Sequence, residues 1–289
     1  MAVADRQQDL YDSAMNDTQP EPDAAANDAF TVIERTRATP LIVLCDHARN
    51  ALPAEYGTLG LTAADLGRHI AYDIGAEAVA RVIAAKLGAP VVVSAYSRLL
   101  IDLNRGLDDP TLIMQLSDGA IVPGNRDLSE VERARRIKRY YAPYHAAIAG
   151  LIDKSLAGGI VPVLLSIHSF TPVFKGIARP WHASVLWGDD PRLARPLLEY
   201  LARGSGLVIG DNEPYEGVLE GDTLWLHGAL RGLAHTILEV RQDLIATPQG
   251  QQDWGGRIAG CITAILADPV LAEPMGAIAA FGPHGQGVG

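Results

Sequence analysis

His47 follows the apolar run LIVLC and Asp46, and His168 ends the run VPVLLSI. Imidazole is a natural zinc ligand. Two imidazoles with one carboxylate leave a fourth position for water, which the cation turns into a nucleophile near neutral pH. Either ring can equally be a hydrogen-bonded structural histidine. Asp46 and Asp73 are the nearby carboxylates able to complete a ligand set. Glu239, within TILEVRQD, is an acid placed directly after apolar residues. In a water-poor cleft such a group takes a proton from water and hands it to a leaving nitrogen; the competing reading is a salt bridge to Arg241. The segment RLLIDLNR brings together Asp102, Asn104 and Arg105. A guanidinium binds a carboxylate through two parallel hydrogen bonds and a neighbouring amide adds a third. Alternatively, Asp102 and Arg105 close a loop by pairing with each other.

These residues share one relation to the chain: each follows an apolar strand-like run. In open α/β sheets ligands bind beyond the carboxyl ends of the strands, so that relation is worth more than any single residue. The pattern predicts strands at LIVLCD, PVVVSAYS, IVPVLLSIHS, HASVLWG, GLVIG and HTILEV. Between them helices are expected over Thr62–Leu87, Asp127–Leu156, Pro191–Arg203 and Gln249–Leu266. The second carries a capping box from Ser129 to Glu132. Strands that are apolar on both faces and alternate with helices imply a largely parallel sheet covered on two sides. The expected fold is α/β, a three-layer sandwich around a central mixed, mostly parallel sheet, in one domain over residues 29–272. Residues 1–28, rich in Asp, Asn, Gln and Pro, read as a flexible arm, and residues 273–289 as a flexible Gly-rich tail. GDNEPYEG, Gly210 to Gly217, reads as a lid loop. The basic run Glu132 to Arg139 reads as a solvated helix face.

The 289 residues carry 24 Lys and Arg against 34 Asp and Glu, a formal charge of -10. Phosphate neutralisation needs clustered cations, so nucleic acid is excluded as an expected partner. The two cysteines, Cys45 and Cys261, are too few for a disulfide framework or a cysteine-built zinc site. Cys45, at the end of an apolar strand, reads as packing and not as a thiol nucleophile. There is no run long enough to span a membrane and no signal-peptide pattern at the start, so a cytoplasmic protein without a membrane partner is expected. No strand-linked GxGxxG or phosphate-loop Lys supports nucleotide binding.

The blocks CDHARNALPAEYG, HIAYDIGAEAVA, SRLLIDLNRGLDDP, LLSIHSFTPVF, GDNEPYEG and LEVRQDLI follow in an order that resembles the N-formylglutamate amidohydrolase family, from about Leu41 to Ile245. The resemblance implies a zinc-exopeptidase-like fold and hydrolysis of an N-acyl bond on an amino acid, typically N-formyl-L-glutamate, giving formate and glutamate. It places His47 and His168 at the imidazole ligand positions, Glu239 at the general acid/base and Asn104 with Arg105 at the carboxylate grip. Asp73 matches an acidic position of the family and is the first choice for the third zinc ligand; Asp46 is the second. His182 or His227 is expected to contact the substrate or its oxyanion, with a structural role as the alternative. Related carboxypeptidases use a His-x-x-Glu pair, whereas His47 is followed three residues later by Asn50, and an amide is a poor ligand for zinc. That departure keeps open a non-catalytic binder of acidic metabolites on the same fold, and a carboxypeptidase-like peptidase is the third reading. HARN also departs from the HSG of the enzymes best tied to formylglutamate. Formylglutamate is thus one candidate among N-acyl amino acid substrates.

Overall fold

The computed structural model describes residues 29–34, 36–204, 206–282 and 286–288; the expected N-terminal arm, residues 1–28, lies outside them. Seven strands form one sheet: β1 (Phe30–Ile33), β2 (Leu41–Cys45), β3 (Val91–Ser94), β4 (Val163–Phe170), β5 (Ala183–Leu186), β6 (Ile209–Asp211) and β7 (His235–Arg241). Their spatial order is β1-β3-β2-β4-β7-β5-β6. Pairing is parallel from β3 through β2 and β4 to β7 and again between β5 and β6. It is antiparallel at β1–β3 and β7–β5. The sheet is therefore mixed and mostly parallel, as its continuous apolar strands imply. β1 was not foreseen, because its four residues are only partly buried and no apolar run marks them.

On one face pack α1 (Ala76–Leu87), α4 (Pro191–Ala202), α5 (Pro248–Ala267) and α6 (Pro269–Met275). On the other lies α2 (Glu130–Arg136), which runs through a π-helical turn, Ile137–Tyr141, into α3 (Ala142–Ala157). Alternate strand residues divide between the two cores: Val43, Leu165, Leu238 and Val240 face α1 and α5, and Leu44, Leu164 and Ile237 face α3. This is a three-layer α/β sandwich. No single helix among the described residues is long and apolar enough to cross a membrane.

The helix expected over Thr62–Leu87 is broken. A single turn, Ala63–Leu66, is capped by Thr62 and ends at Gly67; α1 starts only at Ala76. The residues between form a loop in which Ile70 and Ala71 pack on Leu59, Leu99 and Val122. Gly75 holds φ +82°, and a Cβ there would lie 2.4 Å from the Ile245 carbonyl oxygen, so a helical path is excluded. The break delivers Asp73 to the sheet's carboxyl edge, with its N–H on the His47 carbonyl at 2.9 Å.

The helix over Asp127–Leu156 forms, and Ser129 Oγ accepts from Glu132 N at 3.2 Å as its capping box requires. The π turn precedes Pro143, a residue with no N–H to give the preceding turn. The solvated-face reading of Glu132 to Arg139 does not hold for Arg136. That side chain is 2% exposed and donates to Leu100 O, Asn125 Oδ1 and Glu132. At the other end, α6 runs through residue 273, where the Gly-rich tail was expected to begin, and Arg192 donates to the carbonyls of Pro274 and Ala277.

Candidate active site

The α3-facing side of the sheet changes character along its strands. On β4 it reads Leu164, Ser166, His168; on β7, His235, Ile237, Glu239; on and just beyond β2, Ile42, Leu44, Asp46. Because side chains alternate along strands, each carboxyl-end polar residue stands directly above the apolar core. β4 and β7 are in parallel register with Glu239 opposite His168, so these two are cross-strand neighbours on one face.

His47 and His168 meet edge to face with ring centroids 5.0 Å apart. One nitrogen of each is occupied by a buried carboxylate. His47 Nε2 lies 2.7 Å from Asp102 Oδ1, and His168 Nε2 lies 3.1 Å from Asp46 Oδ2. The other nitrogens converge on Asp73: His168 Nδ1 is 2.8 Å and His47 Nδ1 3.5 Å from Asp73 Oδ2. His47, Asp73 and His168 thus offer three ligand atoms within 4.8 Å of one another, all buried. Four ligands at zinc's bond lengths, about 2.0–2.1 Å in a tetrahedron, stand roughly 3.3–3.4 Å apart, and the two spacings to Asp73, 2.8 and 3.5 Å, lie on either side of that value. Asp102 on His47 Nε2 leaves His47 Nδ1 as the lone-pair end facing the Asp73 oxygen. His168 bonds Asp46 through Nε2 and Asp73 through Nδ1, and those two carboxylates raise its pKa well above the ordinary value against burial. A positive species is needed between the His47 lone pair and the Asp73 oxygen, a proton or a cation. His47 Nδ1 has no hydrogen-bond partner although it is buried. The residues fit a divalent metal.

Asp46, the second choice as ligand, is placed otherwise. Its Oδ1 accepts from Tyr144 Oη at 2.9 Å and Thr223 Oγ1 at 2.8 Å; its Oδ2 takes Ser166 Oγ at 2.8 Å besides His168. Both oxygens are saturated, and Asp46 holds His168 by its far side. Burial alone would raise its pKa; the hydrogen bond and charge of His168 prevail and keep it well below the usual carboxylate range. Asp73 and Asp102 are likewise held low against burial, Asp73 by His47 and His168, Asp102 by Arg98 and His47. Arg98 Nη2 lies 2.7 Å from Asp102 and its Nη1 3.8 Å from Asp73.

Glu239 is 8% exposed, and its Oε2 is buried without a hydrogen-bond partner. The salt bridge to Arg241 does not form: Arg241 pairs with Asp243 at 2.8 Å. Burial lifts the Glu239 carboxyl to about 7, with Asp73 adding to the rise and His168 opposing it. His47, Asp73, His168 and Glu239 all line a cavity of about 520 Å³. Asn104 and Arg105 line it as well. Thr223 N donates to Asn104 Oδ1 at 3.0 Å, and Arg105 Nη1 donates to Asn104 O at 2.7 Å. Asp102 pairs with Arg98 and His47, so the loop-closing pair of Asp102 with Arg105 is not made. Pro214, Tyr215, Glu216 and Gly217 of the expected lid loop form another wall.

His182 and His227 are not among the residues that line the cavity. His182 Nδ1 accepts from Val208 N at 2.9 Å between β5 and β6, and the ring is not part of the cavity wall. His227 stacks on His145 beneath it, Nε2 to Nδ1 2.9 Å, both buried; burial depresses His145 to about 4 and His227 well below its ordinary value. Cys45 is buried and free, and burial raises its thiol pKa far from reactivity. Sequence reasoning passed over Arg98, Thr223, Tyr144 and Ser166. They contribute common polar types on loops, helices and strand interiors, and only tertiary contact gives them a place.

A family model for N-formylglutamate amidohydrolase matches residues 39–246. A solved gene product of Agrobacterium tumefaciens is 36% identical, with a TM-score of 0.77, covering 82% of this chain and 96% of its own. A structure named N-formylglutamate amidohydrolase from Ralstonia eutropha is 24% identical, with a TM-score of 0.60, covering 82% of this chain and 97% of its own; at that identity it speaks for the fold. No curated protein sequence matches the chain. With the His–Asp–His constellation, the register of His168 beside Glu239 and a match spanning most of the described fold, the chain belongs to the N-formylglutamate amidohydrolase family.

Proposed function

We propose that the chain is a zinc-dependent amidohydrolase that cleaves the N-acyl amide of an amino acid bearing a free carboxylate, with N-formylglutamate the substrate suggested by the family. The observation carrying this reading is the convergence of two imidazole Nδ1 atoms on Asp73 beside a buried glutamate with an unsatisfied oxygen. Asn104 and Arg105 bind the substrate carboxylate, the amide donating beside the guanidinium, and so set the acyl carbonyl over His47 and His168. His47, Asp73 and His168 would hold a divalent cation, which would supply Lewis acidity to the carbonyl and acidify water. Glu239, poised near neutrality, takes a proton from the attacking water at its free oxygen. It then delivers that proton to the leaving nitrogen as the C–N bond breaks. Water is consumed, and the carboxylic acid of the acyl group and the free amino acid result. The apolar wall of Leu186 and Ile237 and the loop carrying Tyr215 limit bulk water. The small-molecule substrate is the only partner this mechanism requires, and a cytoplasmic setting suits it.

The test is metal-replete turnover across N-formyl and N-acetyl acidic amino acids and short peptides, with metal content measured alongside. Stoichiometric zinc with release of formate or acetate is expected. Absence of bound metal, with no rescue by added zinc, would overturn the reading in favour of a binder; exclusive release of amino acids from peptides would favour a peptidase.

A further inference from the structure

Hydrogen bonds link the two imidazoles through the substrate grip, and Asp73 stands between their other nitrogens, 2.8 Å from His168 Nδ1 and 3.5 Å from His47 Nδ1. His47 Nε2 is on Asp102 Oδ1 at 2.7 Å, and the same oxygen accepts the Asn104 backbone N–H at 3.0 Å. The Asn104 side-chain oxygen accepts from Thr223 N at 3.0 Å, and Thr223 Oγ1 reaches Asp46 Oδ1 at 2.8 Å. Asp46 Oδ2 holds His168 Nε2 at 3.1 Å. Every member of this network is at least nine-tenths buried. One half joins the grip to the histidine on the loop after β2, the other to the histidine on β4.

Thr223 has no ligand, substrate or proton role in the mechanism above, yet it makes two connections at once. Its N–H fixes which end of the Asn104 amide is the acceptor, leaving the NH2 end as the donor for substrate. Its hydroxyl donates to Asp46, also lying 3.1 Å from Leu103 O, and so helps fix the carboxylate that orients His168. Groups that orient a metal-ligating imidazole from its far side typically alter metal affinity by 10–100-fold when removed. We propose that Thr223 is a positioning residue that couples the carboxylate-binding amide to the His168 imidazole, its hydroxyl acting on the metal side and its N–H on the substrate side. The inference rests on the amidohydrolase reading for its catalytic consequence, but not for the hydrogen bonds themselves.

Separating the two connections tests it. Thr223→Val removes the hydroxyl, keeps the N–H and nearly preserves volume; Thr223→Ser keeps both donors. In T223V, zinc affinity measured by chelator competition is expected to fall about tenfold. kcat should fall with it at zinc concentrations that fill the wild type, while KM stays within about twofold because Asn104 is untouched; T223S should restore both. In metal-free protein the downfield Nε2 proton of His168 should exchange with water faster in T223V than in wild type or T223S. That readout needs neither zinc nor turnover. If wild type binds no zinc, the amidohydrolase reading fails and proton exchange alone decides the coupling. Wild-type zinc affinity, or with no zinc bound wild-type proton exchange, in folded T223V would overturn the proposal. A loss confined to KM would do the same. Should T223V not fold, Tyr144→Phe removes the other donor to the same Asp46 oxygen and is expected to shift zinc affinity and proton exchange in the same direction; unchanged values there would count against the proposal equally.

Discussion

Glu239 owes its chemistry to where β7 ends. A carboxyl placed opposite His168 is lifted by burial to about 7, close to the working pH at which a proton shuttle is most effective. Glu239→Gln preserves shape and removes the exchangeable proton site. Turnover is expected to drop by roughly 10²–10⁴-fold, while metal content, measured by atomic absorption, stays at the wild-type ratio because no ligand is lost. Asp73 behaves in the opposite way. Asp73→Asn exchanges an anionic oxygen for an amide between the two imidazoles, so metal retention itself should collapse, and activity with it. Equal metal content in D73N and wild type would remove Asp73 from the ligand set. Asp46→Asn should fall between the two, because Asp46 touches His168 from behind and its loss weakens a ligand's orientation without deleting the ligand.

At the scale of elements, Gly75 shows what the site demands of the backbone. Its φ of +82° and the 2.4 Å approach that a Cβ would make to Ile245 O allow the chain to turn from the Asp73 loop into α1. Gly75→Ala is expected to cost at least about 1–2 kcal/mol from left-handed strain, measured by chemical denaturation, and to lower metal occupancy because Asp73 lies two residues upstream. The same loop marks the limit of what could be read beforehand. Strands β2, β4 and β7 were legible because they are apolar on both faces, and the polar residues at their ends, His47, His168 and Glu239, inherited their positions from that pattern. The loop before α1 has the pattern of a helix, because Ile70, Ile74 and Val79 recur at helical spacing. The residues at 70 and 71 in fact spend their apolar surface on Leu59 and Leu99, a cluster formed only by distant chain segments. Asp73 was identified through the family pattern, and the physical reason it reaches the histidines became visible only with the helix broken. His182 and His227 show the converse: histidine type gives no direction, and the two rings bond Val208 N and His145 instead of lining the cavity.

Across the whole molecule, buried titratable groups of opposite sign share one pH window. His145, buried and held at about 4, remains neutral in the folded chain, whereas it protonates near 6.5 when unfolded. A folded pKa depressed in this way contributes stability that is complete above 6.5 and is lost as pH falls toward 4. Asp222 is the counterweight. Buried against the cavity and pushed up to about 7, it stays protonated where an unfolded aspartate ionises near 3.9, so stability is lost as pH rises from 3.9 to 7. Between pH 4 and 6.5 the two slopes, each about 1.4 kcal/mol per pH unit, oppose one another and flatten the profile. Single substitutions should separate them with opposite signs. Relative to wild type, His145→Gln is expected to lose stability steadily as pH rises from 4 to 6.5, because only the wild type gains from the neutral buried ring. Asp222→Asn should gain relative to wild type across the same window, because it no longer resists ionisation. Denaturant midpoints taken at half-unit intervals would show two difference curves of comparable steepness diverging from a common acid limit. Parallel curves for all three proteins would mean that neither group changes its proton affinity on folding.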